Sequence, residues 1–191
     1  MKKFFALLLA AVMTFACAGA LAATDVVIDT GLPEFDVHFT SDEDIEVNSM
    51  AADGYCAVVF GDLDYEDPNA MIWMASITVS DDTAFEGKDL KDATDEQLQQ
   101  LFDELVVADA DGMNPYTYEV KDLDDGIRAL SIINQDTHEE AWVFTVQQGV
   151  LVQVFGFYVD NRAVTDEDIE KAVQLMDAFQ FVPADSAEQT K

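Results

Sequence analysis

Basic side chains are scarce in this sequence: nine Lys and Arg stand against 39 Asp and Glu in 191 residues, a formal net charge of −30 at pH 7. Nucleic acids and anionic membranes are recognised through a basic footprint that displaces counterions, and a field of this sign repels phosphate instead. Both partner classes are set aside, whereas a basic protein or a divalent cation suits the field. The same composition also serves plain solvation, since an Asp-rich, Lys-poor surface keeps an exported domain in solution and is common in high-salt organisms.

Cysteine is nearly absent as well, with Cys17 and Cys56 the only two. If Cys17 is removed with the leader described below, no internal disulfide can form and the fold must stand on its core. Cys56 lies in the apolar run Tyr55-Cys56-Ala57-Val58-Val59-Phe60 and reads as a small hydrophobe. Only two histidines occur. Alternation in Phe35-Asp36-Val37-His38-Phe39 puts His38 on the solvent side with Asp36. His138 falls in a polar hairpin turn, Asn134-Gln135-Asp136-Thr137-His138-Glu139-Glu140, and reads as a surface residue. There is no Gly-x-Ser-x-Gly elbow, no His-Glu-x-x-His pair and no phosphate-cradling glycine loop. Paired carboxylates arise by chance in so acidic a chain, which leaves a hydrolase as a distant alternative and no catalytic residue to name.

What is present begins with a leader. Lys2 and Lys3 precede an apolar run from Phe4 to Ala16, and Ala20-Leu21-Ala22 offers the small residues that signal peptidase accepts. Residues 1–23 are therefore expected to be a signal peptide, with an extracytoplasmic (periplasmic or secreted) mature chain of net charge about −32 once the two lysines leave. The run falls short of the ~20 residues needed to cross a bilayer. Thr14-Phe15-Ala16 before Cys17 departs from a lipoprotein cleavage site, so a lipid anchor on Cys17 is the lesser alternative. No later run suits a membrane span.

Residues 24–183 are expected to form a single α+β domain, and residues 184–191 a polar disordered tail. Strands are expected over Val26–Ile28, Phe35–Phe39, Tyr55–Phe60 and Met71–Val79. Thr94 followed by Gln97 forms a capping-box pattern ahead of the stripe Leu98, Leu101, Phe102 and Leu105, which predicts a helix over 92–107. Tyr116–Val120, Ile127–Ile133, Ala141–Gln147 and Val150–Val159 predict an antiparallel meander. Thr165-Asp166-Glu167-Asp168 opens a second helix with Ile169, Ala172, Val173 and Met176 inward, and Phe179 and Phe181 continue into a closing segment. The fold class expected is a central antiparallel sheet packed by two main helices.

This element order, with the closing pattern Thr165-Asp166-Glu167-Asp168-Ile169 and Met176-Asp177-Ala178-Phe179-Gln180-Phe181, resembles the PsbP-like family from about Pro33 to Pro183. The resemblance implies an exported binding or assembly module without chemistry, though a fold does not by itself settle function. One alternative is a cation-binding domain. Asp62, Asp64 and Glu66 alternate in a polar loop beside Asp67, like the opening of an EF-hand loop. The pattern then fails, because Asp67 and Pro68 stand where the turn wants glycine and Trp73 stands where a bidentate glutamate belongs. Calcium held there would bind weakly, on the order of 10⁻⁴ to 10⁻³ M. The aromatic strands around Trp73 and Trp142-Val143-Phe144 suit core packing better than a ligand groove.

Overall fold

The computed structural model describes residues 24–31, 35–52, 54–79, 89–106, 115–123, 126–147 and 149–183. The expected leader with Cys17 and the expected tail lie outside the described residues. In chain order the elements are β1 (Thr24–Ile28), β2 (Phe35–Ser41), β3 (Val47–Ala52), β4 (Tyr55–Phe60), β5 (Met71–Val79), a 3₁₀ turn (Leu90–Asp92), α1 (Asp95–Leu105), β6 (Tyr116–Asp122), β7 (Arg128–Asn134), β8 (Glu140–Gln147), β9 (Val150–Tyr158), α2 (Asp166–Asp177) and β10 (Phe179–Pro183).

The strands form two sheets, one of three strands in the order β1-β2-β10 and one of seven in the order β3-β4-β5-β9-β8-β7-β6. Every pairing is antiparallel. The meander β6 to β9 is as expected, but the α+β class is corrected: the chain is mostly β-sheet, with two sheets where one central sheet was expected. Two features account for the difference. β3 carries Asn48 and Ser49 at a sheet edge where one side is half-exposed, so its apolar signal is weak. β10, the closing segment, does not extend the meander but pairs with β2, near the other end of the chain.

The central strands of the seven-stranded sheet are buried on both faces, which is why β8 and β9 read as nearly continuous apolar runs. On one face Cys56, Val58, Phe60, Ala75, Ile77, Val143, Val152 and Val154 meet α2 and the inner side of the small sheet through Ile28, Val37, Phe39 and Phe179. The rings of Phe39, Phe60 and Phe179 lie 5.0–6.0 Å apart by centroid. Full burial of such a ring contributes roughly 1.5–3 kcal/mol. On the opposite face, Leu98, Leu101 and Phe102 of α1 pack on Leu130, Ile132, Trp142, Phe144 and Val146. A smaller patch of Val59, Ile72 and Met74 is covered by Leu63 and Tyr65 from the loop before β5.

Both helices start with a complete capping box. Thr94 accepts from the Gln97 amide while the Gln97 side chain accepts from the Thr94 amide, and Thr165 and Asp168 do the same in α2. Acidic residues fill both first turns, where the helix dipole favours them. The expected inward stripes hold for Leu101, Phe102 and Met176. Ile169 is corrected to half-buried, since it sits in the first turn of α2 at the rim of the core.

Candidate binding cleft

The acidic loop is displayed outward. Asp62, Asp64, Glu66 and Asp67 are exposed, while Leu63 and Tyr65 between them turn partly inward onto the sheet. One Asp64 carboxylate oxygen accepts the backbone amides of Glu66 and Asp67 at 3.0 and 3.1 Å, and Asp67 accepts the amide of Asn69 at 2.8 Å. These are the turns that short acidic side chains make with their own backbone. Among the described residues no three or more His, Cys, Asp or Glu side chains are grouped to hold a metal ion.

The loop is anchored from the far side. The guanidinium of Arg162 donates to the Asn69 side-chain oxygen at 3.1 Å and to the Asn69 carbonyl at 3.2 Å, and its centre lies 3.8 Å from the Tyr158 ring centroid. The Tyr158 hydroxyl donates to Asp168, the carboxylate that closes the α2 cap.

His38 stands between Val27 and Gln180 on the outer side of the small sheet, opposite in alternation to the buried Val37 and Phe39, and is half-buried. His138 occupies the expected turn with φ of 50°, and its carbonyl accepts the Val164 amide. Cys56 is fully buried; desolvation, then the charge of Asp29, push its thiol up to about 11, so it is protonated and unreactive. Trp142 is buried among Tyr116, Phe144 and Phe155, in the core position expected. Its indole N–H has no partner among the described residues.

Charge is distributed unevenly. Each of the five described cations is neutralised within the fold: Lys91 by Asp89, Lys121 by Glu119, Arg128 by Asp122, Arg162 by Asp160 and Lys171 by Glu43. The other exposed carboxylates therefore have no Lys or Arg counterpart among the described residues. Among the described residues no helix is long and apolar enough to cross a membrane.

Two of those five cations share one open cleft of about 300 Å³, which sequence reasoning did not find. Lys91 enters from the 3₁₀ turn with its ion-pair partner Asp89 beside it in the lining, Arg128 from the start of β7, Gln147 from the end of β8, and Gln180 and Phe181 from β10. Arg128 is held by its register partner in β6: its Nε donates to Asp122 at 3.2 Å, while the Thr145 hydroxyl donates to the Arg128 carbonyl at 2.6 Å. The terminal guanidinium nitrogens and the Gln147 carboxamide make no hydrogen bond among the described residues. The scarcity of cations was the one sequence signal that pointed here; nothing in the spacing of Lys91 and Arg128 brings them together. No family model and no curated protein matches the sequence.

Proposed function

We propose that the chain is an exported, non-enzymatic binding module whose partner is a basic protein. The observation that carries this reading is the pairing of every described cation with a carboxylate of its own fold, which leaves the large surplus of acidic side chains uncompensated among the described residues. Such a field accelerates encounter with a cationic partner and loses its reach as salt rises. The leader pattern at residues 1–23 supports an extracytoplasmic setting, and the resemblance to PsbP-like proteins supports an assembly role over chemistry. The test is crosslinking of the native protein in its own host, followed by identification of the captured protein and a binding titration with the purified pair. A specific basic extracytoplasmic partner, bound at least tenfold more weakly in high salt, supports the reading. Saturable turnover of a substrate by the purified chain, lost on changing one carboxylate, would overturn it.

A further inference from the structure

We infer that the cleft between the 3₁₀ turn, the β7–β8 pair and β10 binds a peptide through its free C-terminal carboxylate. Three kinds of group meet there. Arg128 offers the two terminal nitrogens of a planar fork that its bond to Asp122 leaves unused, and a carboxylate is the anion whose two oxygens match that fork. Lys91 adds ammonium donors beyond the one that faces Asp89 at 3.2 Å. Gln147 and Gln180 bring side-chain amides, which donate and accept as a peptide backbone does.

β10 supplies the fourth component. Among the described residues it is hydrogen-bonded to β2 on one side only. The Thr40 amide donates to the Ala178 carbonyl, which places the hydrogen-bonded pairs of the β2–β10 ladder at Ala178, Gln180 and Val182. The N–H and C=O of Phe181 therefore point to the open edge, and Phe181 lines the cleft. An extended peptide laid along this edge adds a strand, as sheets with an open edge accept peptides. Its last residue then ends beside Arg128 and Lys91. A side-chain carboxylate would reach the same cations without using the β10 edge, so the two sources are separable.

The site deepens the proposed function and rests on it in one respect. The acidic surround favours a peptide whose other charges are positive, and the donors that Arg128 and Lys91 keep beyond their own ion pairs to Asp122 and Asp89 receive one negative group. Four probes decide the matter by titration followed in amide NMR spectra: Ac-Gly-Lys-Ala with a free carboxylate, its C-terminal amide, Ac-Gly-Glu-Ala with a free carboxylate, and Ac-Lys-Asp-Ala amide. The expected result is perturbation centred on Ile127, Arg128, Gln147 and Phe181 by the first probe. Affinity should fall at least tenfold for its amide and for Arg128→Gln, and should be lower for the Asp-side-chain probe. An amide that binds as well as the acid, perturbations elsewhere, or an Arg128→Gln variant of unchanged melting temperature that binds like the parent would overturn the carboxylate site. Equal binding of the Lys and Glu acids leaves that site standing and counts against a basic partner instead.

Discussion

The ring of Trp73 lies against the backbone of Gly156, its register partner on the neighbouring strand: a Cβ at position 156 would come within 2.3 Å of Trp73 Cζ3. No side-chain carbon fits at that distance, so glycine is required by space at this point of β9. Gly156→Ala should destabilise the fold by about 1–3 kcal/mol, the range for overpacking a well-filled site. Denaturant unfolding checks this, and the double variant Gly156→Ala, Trp73→Leu should recover part of the loss. A Gly156→Ala midpoint equal to the parent's would show that the ring moves aside at no cost.

The two capping boxes give a second expectation. Thr94→Ala and Thr165→Ala should each lower stability by about 1 kcal/mol. They cap different helices, so the losses should add in the double variant. Chemical denaturation of the three variants measures this, and strong non-additivity would mean that the helices unfold as one linked unit.

Alkaline pH should weaken the fold through adjacent residues of β4. Burial raises the Cys56 thiol from 9.0 to about 11, and burial, then the charge of Cys56, raise the Tyr55 phenol from 10.0 to about 12. In both cases the folded chain keeps a proton that the unfolded chain releases. Stability from Cys56 is therefore full below pH 9 and is lost as pH rises toward 11, and that from Tyr55 is lost between 10 and 12. Melting temperature followed across this range should fall, and Cys56→Ala should flatten the part that begins near 9. Ellman's reagent at neutral pH should leave the native thiol unmodified until the protein unfolds.

Arg162 fastens the acidic loop to the β9–α2 connection. Arg162→Ala removes two hydrogen bonds and a cation–ring contact, with an expected loss of about 1–2 kcal/mol. Hydrogen exchange should speed up at Ala70 and Val159, whose backbones are bonded to each other at 3.1 Å. Lysine cannot reproduce the forked contact with Asn69, so Arg162→Lys should rescue little.

The loop itself separates backbone support from cation binding. Asp64→Asn keeps the oxygen that accepts the Glu66 and Asp67 amides and should be nearly neutral, while Asp64→Ala should cost about 1 kcal/mol. Millimolar calcium and sodium chloride of matched ionic strength should then give equal melting temperatures. A larger rise with calcium, abolished by Asp62→Asn with Glu66→Gln, would show that these carboxylates converge on the ion.

Local signals were legible where one element contains the whole pattern. Thr94 with Gln97, Thr165 with Asp168, and the apolar runs of β4, β5 and β9 each declare themselves within a dozen residues. The separation into two sheets was not legible, because β10 chooses β2 over the end of the meander through Phe39 and Phe179, which meet only after the chain has folded. β3 escaped notice because an edge strand buries too little to need an apolar run. The cleft was hidden for a related reason: Lys91, Arg128, Gln147 and Phe181 come from four separate elements, each with an ordinary local sequence.

The small sheet also decides how the molecule bears tension. Thr24 at the start of β1 lies opposite Ser41, and Pro183 at the end of β10 lies opposite Phe35, so the two ends of the described chain leave opposite ends of β2. A pull applied at both ends runs along the strands, and the β1–β2 and β2–β10 ladders are loaded in shear. Their hydrogen bonds must yield together instead of opening one after another from an end. An anchored copy of this chain would hold its load at the three-stranded sheet, with the seven-stranded sheet sheltered behind it.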